Sequence, residues 1–161
     1  MVDAARRGFL RGRPRPRTEL RPPWALAEND FIDRCTRCND CLKACPQDIL
    51  VSGDGGYPSI DFTRGECTFC ADCLSACQPQ ALLRRDGEPP WPYKAAAGEA
   101  CLARQQVECR SCGDFCPEGA LRFPARAGGP ALPVLLEDRC TGCGACLAPC
   151  PTAAISIGRP D

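Results

Sequence analysis

The 161-residue sequence contains no histidine at all. The chain therefore lacks the commonest general base and the commonest nitrogen ligand for metals. Neither a Ser-His-Asp nor a Cys-His arrangement can form, which excludes the usual nucleophilic hydrolases. The sequence predicts a protein that is not an enzyme.

Long apolar runs are also missing. The best of them, from Leu132 to Leu136, is interrupted by Pro133 and falls far short of the ~20 apolar residues that a membrane-spanning helix needs. We expect no membrane insertion. Aromatic residues make up only 6% of the chain, whereas 17 prolines and 15 glycines supply about a fifth of it. This composition predicts short helices and narrow sheets.

Cysteine is the residue type in excess, with 16 residues in four runs of four. Three runs have the spacing C-x2-C-x2-C-x3-C, and the third run differs only by a longer gap after its first cysteine. The runs are Cys35, Cys38, Cys41, Cys45; Cys67, Cys70, Cys73, Cys77; Cys101, Cys109, Cys112, Cys116; and Cys140, Cys143, Cys146, Cys150. Runs of this form hold cubane [4Fe-4S] clusters, with the fourth thiolate usually supplied by a partner run.

Two other uses of clustered cysteines fit less well. Structural zinc sites use C-x2-C pairs that normally lie well apart in sequence, whereas the pairs overlap here. A disulfide framework is compatible with about 10% cysteine, but not with cysteines repeated in register and followed by proline. We therefore predict four [4Fe-4S] clusters as cofactors, with all sixteen cysteines as cofactor-binding and metal-ligating residues.

The pairing of the runs is open to two arrangements. In the simpler one, the first run exchanges its fourth cysteine with the second run, and the third run with the fourth. This scheme groups Cys35, Cys38, Cys41 with Cys77; Cys67, Cys70, Cys73 with Cys45; Cys101, Cys109, Cys112 with Cys150; and Cys140, Cys143, Cys146 with Cys116. A nested arrangement would pair run one with run four and run two with run three. The assignment of Cys101 as a ligand is the one that depends most on the total of sixteen cysteines, because seven residues separate it from Cys109.

The segments around the runs predict an α+β fold of two tandem ferredoxin-like modules. Extended lead-ins precede runs one, two and four, and a short turn with an apolar strand start follows runs one, three and four. The segments 53–56 and 126–130 predict strand-turn-strand connections. The proline-rich segment 85–93 indicates a module boundary. We predict a basic arm at 1–28, module 1 at 29–86 and module 2 at 87–161.

One run differs in the residue after its fourth cysteine. Pro46, Pro117 and Pro151 directly follow the other fourth cysteines, whereas Gln78 follows Cys77 and keeps a backbone N–H. If this N–H donates to a cluster sulfur, the potential of that cluster rises, because such a bond stabilises the reduced state. The alternative is that the shift of proline by one position is neutral.

The charge of the chain is concentrated at its N-terminus. Residues 1–23 carry seven arginines and two carboxylates, a net charge of +5, so the rest of this neutral chain carries −5. The start Arg-Arg-Gly-Phe-Leu-Arg at 6–11 has the core of a twin-arginine export signal, but no apolar segment follows, so we expect no export. A solvated arm and a docking segment for an acidic protein both fit. The acidic body argues against nucleic-acid binding.

The arm and the stretched third run together resemble the ferredoxin-type proteins NapF of periplasmic nitrate reductase systems. The similar features are the start at 6–11, the four cysteine runs and the gap from Cys101 to Cys109. The resemblance implies a cytoplasmic accessory and maturation factor, and free thiolates also favour a reducing compartment. Its implied partners are the precursor of the catalytic nitrate reductase subunit, served by electron or cluster transfer, and a redox donor protein. The alternative is a general soluble polyferredoxin that carries electrons between a dehydrogenase and a reductase.

Overall fold

The computed structural model describes residues 19–160, and its secondary structure consists of short elements. The helices are α1 Glu28–Arg34, α2 Asp40–Lys43, α3 Asp72–Ser75 and α4 Ser111–Asp114. The strands are β1 Leu50–Ser52, β2 Pro58–Ile60, β3 Lys94–Ala97, β4 Leu121–Arg122, β5 Val134–Leu135 and β6 Ile155–Gly158. Single 3-10 turns lie at Asp54–Gly56 and Glu137–Arg139. Within 19–160, every helix is too short or too polar to cross a bilayer.

In each module, one strand pair, the inner pair, lies between the two cysteine runs in sequence, and a second pair, the outer pair, is formed by segments before the first run and after the second run of that module. In module 2, the antiparallel pair β4–β5 lies between the cysteine runs, and the antiparallel pair β3–β6 encloses both runs. In module 1, the inner pair is β1–β2, and the outer pair is reduced to a single antiparallel bridge between Ala25 and Leu82. This confirms the mixed helix and strand content of two tandem modules, and the turns predicted at 53–56 and 126–130 lie between the inner strands.

The two modules differ in how much apolar core they have. Module 1 buries aromatic side chains, among them Phe31, Phe62 and Trp91, together with two cysteines. The buried core of module 2 is smaller and has no aromatic residue: Ala95, Cys112, Leu121, Cys146 and Ile155. Cysteines are thus a larger share of the packed interior in module 2.

The lead-in to the first run is helical, so the predicted extended segment there is wrong. Helix α1 covers the four residues before Cys35, and its Phe31 is only 1% exposed. Acidic side chains lie in its first turn and Arg34 in its last turn, which suits the helix dipole. Before the fourth run, strand β5 is followed by a 3-10 turn.

Residues 19–28, which the sequence assigns to the arm, include side chains that pack against module 1. Arg21, Pro22 and Trp24 are buried, and Ala25 forms the bridge to Leu82. Because Arg21 pairs with Glu19, the surplus of +5 charges belongs to residues 1–18, which lie outside the described residues.

The proline-rich segment is also part of the packed structure. Trp91 and Tyr93, which the sequence assigns to module 2, are 7% and 4% exposed and belong to the core of module 1. Strand β3 of module 2 begins at the very next residue, Lys94. The chain therefore passes from one core to the other without a spacer.

Candidate metal centres

The loops of the first, second and fourth cysteine runs share one backbone conformation. In each loop, φ is positive just before and just after the second cysteine, at Arg37 and Asn39, Phe69 and Ala71, and Gly142 and Gly144. This left-handed conformation costs about 1–2 kcal/mol for a residue with a Cβ, so two of the three loops accept that cost twice. The repetition shows that the three loops are structurally equivalent although their residue types differ.

A turn after the fourth cysteine is repeated in all four runs. The third residue after that cysteine has positive φ, and its N–H donates to the cysteine carbonyl at 3.0–3.2 Å. These turn residues are Asp48, Gln80, Gly119 and Ala153. The next residue is buried every time, as Ile49, Ala81, Ala120 and Ala154. The sequence predicts a short turn after runs one, three and four, and the structure shows it after run two as well. The positive φ of the turn residue was not predicted, because only Gly119 among the four is a glycine.

The sixteen thiols form four groups of four. Three of the groups line cavities, each with three cysteines of one run and the fourth cysteine of its partner run. The second group is Cys45, Cys67, Cys70, Cys73; the third is Cys101, Cys109, Cys112, Cys150; and the fourth is Cys116, Cys140, Cys143, Cys146. In the first group, Cys41 lies beside Cys35, Cys38 and Cys77. The structure thus brings together the cysteines of the sequential scheme and not those of the nested one.

Cys101 joins the third group in spite of the long gap that follows it. The intervening residues form a compact turn, in which Gln105 N–H donates to Cys101 O at 3.1 Å. Ala103 inside this turn is fully buried, and Gln106 has a φ of 65°. The turn returns the chain to Cys109, so the extra residues do not displace the first cysteine from the group.

Similarity to known proteins agrees with this arrangement. Residues 34–82 and 107–154 each match a family model described as a 4Fe-4S dicluster domain. Ferredoxin-type protein NapF of Haemophilus influenzae is 47% identical over 138 residues, 86% of this chain and 78% of the relative. NapF of Escherichia coli strain K12 is 45% identical over 156 residues, 96% of this chain and 94% of the relative. The chain belongs to the NapF family of ferredoxin-type proteins.

A more distant relative shares the same general description. Methylamine utilization ferredoxin-type protein MauM of Methylorubrum extorquens is 33% identical over 148 residues, 81% of this chain and 67% of the relative. Two dicluster domains and 16 cysteines make the cofactors of this NapF family member four [4Fe-4S] clusters.

The electrostatics of the thiol groups fit iron clusters. Burial, supported by neighbouring thiolates, raises the pKa of Cys73 to about 12 and that of Cys146 to about 12. Buried thiolates of this kind require adjacent positive charge, which cluster iron supplies. All sixteen thiols are free, and among residues 19–160 no three His, Cys, Asp or Glu side chains are close enough to hold a single ion. Four thiols that line one cavity, three from one run and one from its partner run, suit a cubane.

Hydrogen bonds to sulfur occur at the fourth cysteines of module 2. Ala120 N–H donates to Cys116 Sγ, and Ala154 N–H donates to Cys150 Sγ, both at 3.2 Å. Burial by itself would raise the pKa of Cys150, but hydrogen bonds from Ala154 and Thr152 outweigh it, and the pKa lies below its usual value. Such donors stabilise the more negative, reduced state of a cluster and raise its potential.

Gln78 does not add a donor of this kind. Its backbone N–H donates to Ala76 O at 3.1 Å and not to a cluster sulfur, so of the two alternatives for Gln78 the structure favours the neutral one. The turn after Cys77 nevertheless closes normally, with Gln80 N–H donating to Cys77 O at 3.2 Å. The shift of proline to position 79 therefore leaves the local backbone unchanged, as the neutral alternative requires.

Proposed function

We propose that the four thiol groups are the ligand sets of the four clusters. Each set combines three cysteines of one run with the fourth cysteine of the partner run, so each module closes only when both of its runs are in place. When bound, the clusters supply reversible one-electron chemistry. The third cysteine of each run is buried and shields that side of the site from water, and N–H groups of the protein adjust the electron density on the thiolates.

Cys101 offers the sharpest test of these ligand sets. Replacing it (Cys101→Ala) is expected to lower the iron content from about sixteen to about twelve per chain, because one cubane loses a ligand. Iron and sulfide analysis of protein purified without oxygen measures the change. Ser111→Ala is the matched control, since Ser111 lines the same cavity and its hydroxyl lies 3.7 Å from Cys109 Sγ. A full iron content with an unchanged electron paramagnetic resonance (EPR) spectrum in Cys101→Ala would remove this residue from the ligand set.

The function that these features support best is that of a cytoplasmic accessory and maturation factor for the catalytic subunit of periplasmic nitrate reductase. The protein binds the precursor of that subunit before export and delivers electrons or a cluster to it, and it is not itself an enzyme. The observation that carries this proposal is the 45% identity to NapF over 96% of the chain. The 4% of the chain outside this similarity is only about six residues. Most of residues 1–18 must therefore lie inside it.

In this proposal the N-terminal arm binds the precursor. Residues 1–18 carry six arginines and one aspartate, whereas the rest of the chain has a net charge of −5. The arm can therefore dock onto an acidic surface while the acidic body is kept away from it. Arg21 is not available for docking, because its side chain is bound to Glu28, Glu19 and Pro58 O within module 1. A truncation meant to test docking should consequently leave residue 19 and the residues after it intact.

Charge reversal in the arm tests the docking role without truncation. Exchanging three arginines of the arm for glutamate (Arg6→Glu, Arg7→Glu, Arg11→Glu) is expected to weaken pull-down of the precursor at least about tenfold, more strongly at low salt. Iron content should not change. The matched control makes the same change of charge at exposed arginines of the body: Arg85→Glu, Arg126→Glu, Arg159→Glu.

The two triple variants also separate the two candidate functions. Equal binding of the precursor by both would remove the docking role of the arm. If the wild-type protein does not bind the precursor and yet exchanges electrons with unrelated dehydrogenases and reductases, the general polyferredoxin is the correct function.

A further inference from the structure

The two modules meet where the second and fourth cysteine runs touch. Cys67 N–H donates to Cys143 O at 2.8 Å, so a cysteine of the second group and one of the fourth group share a backbone hydrogen bond. Two residues earlier in the fourth run, Thr141 O accepts a hydrogen bond from Trp91 Nε1 at 2.7 Å. The fourth loop is therefore attached to module 1 at two points.

Two glycines allow this close approach. Gly144, with a φ of +90°, lies against the ring of Phe62, where a Cβ would come to 2.5 Å from Phe62 Cε1. Gly142, with a φ of +72°, lies beside Trp91, where a Cβ would come to 2.9 Å from Nε1. Either side chain would force the loop away from module 1. We call Phe62, Cys67 and Trp91 together with residues 141–144 the module junction.

The aromatic side of the module junction is packed and closed to water. Phe62 is 4% exposed, and its ring meets Trp91 edge to face with the centroids 6.1 Å apart. Trp91 in turn contacts Phe69 and Tyr93, with centroids 5.2 and 5.4 Å away. These packed aromatic side chains hold the loop of the fourth run in a fixed position. The contact between Cys67 and Cys143 is therefore part of the fold.

Within each module, the two cysteine groups are also adjacent to each other. Cys41 of the first group and Cys73 of the second group are buried in one core, and the helices that carry them, α2 and α3, pack together. Cys112 of the third group and Cys146 of the fourth group are buried in the other core. With the contact at the module junction, the groups follow each other in the spatial order first, second, fourth, third, which is not their order along the chain.

From these contacts we infer that the module junction positions the second and fourth cysteine groups for electron exchange between the two modules. The first and third groups are then the two ends of a single path. Each exchange moves one electron from a reduced to an oxidised cluster, and no proton moves and no bond is made or broken. The inference rests on the ligand sets proposed above, but it does not depend on the identity of the partner.

A glycine substitution at the module junction tests the inference in the full-length holoprotein. Gly144→Ala places a methyl group against Phe62 and is expected to separate Cys67 from Cys143. After full reduction with dithionite, pulsed EPR should detect the loss of the spin–spin interaction between the modules, while the interactions within each module remain. Hydrogen exchange at the peptide that contains Cys67 reports independently whether the junction has opened.

Gly128→Ala is the matched control. Gly128 has a φ of +78°, and a Cβ there would meet nothing within 4 Å, so alanine at this position also has the cost of a positive φ but disturbs no contact. Its spectrum should match that of the wild type. Iron analysis of each variant, expected to give about sixteen irons, tests the ligand sets separately from the inference.

Three results would overturn the inference. They are an opened junction with an unchanged inter-module interaction in Gly144→Ala, unchanged hydrogen exchange in that variant, and an equal loss of the interaction in Gly128→Ala. If Gly144→Ala does not retain its iron, Trp91→Phe decides the question. This change keeps one aromatic ring but removes the hydrogen bond to Thr141 O and part of the packing against Phe62, so the inter-module interaction should weaken and the iron should stay. An unchanged interaction in Trp91→Phe would then refute the role of the junction.

Discussion

Removing the iron from the holoprotein is expected to unfold most of the chain. The helices of 4 to 7 residues are too short to persist without tertiary packing, and sheets of two strands are marginal in water. In module 2, two of the five buried core residues are cysteines, so loss of the cluster removes much of what the module packs around. Metal binding supplies about 10–16 kcal/mol in small structural sites, against the ~5–15 kcal/mol of net stability that is typical of a domain.

Circular dichroism before and after anaerobic chelation measures this loss, and protein taken through the same steps without the chelator is the control. Module 2 should lose its structure more completely, because module 1 retains an aromatic core around Phe31 and Trp91. Limited proteolysis should accordingly cleave within 94–158 before it cleaves within 19–93. A spectrum that chelation leaves unchanged would show that the polypeptide folds without its cofactors.

Replacing Arg21 by alanine is expected to cost about 2–4 kcal/mol of stability. Arg21 is 9% exposed, and its guanidinium binds both carboxylate oxygens of Glu28, at 2.7 and 3.1 Å. It also donates to Pro58 O at 3.0 Å and lies 5.1 Å from the ring centroid of Phe31. Breaking a fully buried ion pair costs about 3–5 kcal/mol. The expected value is somewhat lower here because the side chain of Glu28 is 51% exposed and can be solvated.

The denaturant concentration at which the visible absorbance of the clusters is lost measures this effect under anaerobic conditions. Arg64→Ala is the control, since Arg64 also pairs with an acidic residue of module 1, Asp61, but at 3.7 Å and with 55% of its side chain exposed. A surface pair of this kind contributes about 0–1 kcal/mol. Arg21→Lys should fall between the two, because lysine keeps the charge but not the two-pronged geometry. Equal effects of Arg21→Ala and Arg64→Ala would show that Arg21 is not a structural residue.

Some features of the fold were open to sequence reasoning and others were not. The hairpin turn at 53–56 was predictable because glycines marked it. Helix α1 was missed because the four residues before Cys35 resemble the extended lead-ins of the other runs, and its burial of Phe31 depends on Tyr57 and Arg21, which are distant in sequence. The proline-rich segment was taken for a boundary because composition does not show that Trp91 finds a partner 50 residues away.

The thiol groups show the same division. From the sequence alone, the gap after Cys101 makes it uncertain whether this residue joins a thiol group. The structure shows a compact turn around Ala103 that brings Cys101 back to its group. A short turn was predicted after three of the fourth cysteines, but its left-handed residue was not, because residues such as Gln80 and Ala153 rarely adopt a positive φ. At these positions tertiary packing outweighs the local preference of the residue.

The number, type and spacing of the cysteines determined by themselves which cofactor this chain binds and how many copies of it. The residue types and their spacing are enough to predict the cofactor, because thiolates in such tight loops match the corners of an iron cubane. Tertiary structure alone decided which runs place their cysteines in the same group, and it joined the two modules through Phe62, Trp91 and two glycines. These features depend on contacts between residues far apart in the chain. The type of a single residue does not show which other segment of the backbone will approach it.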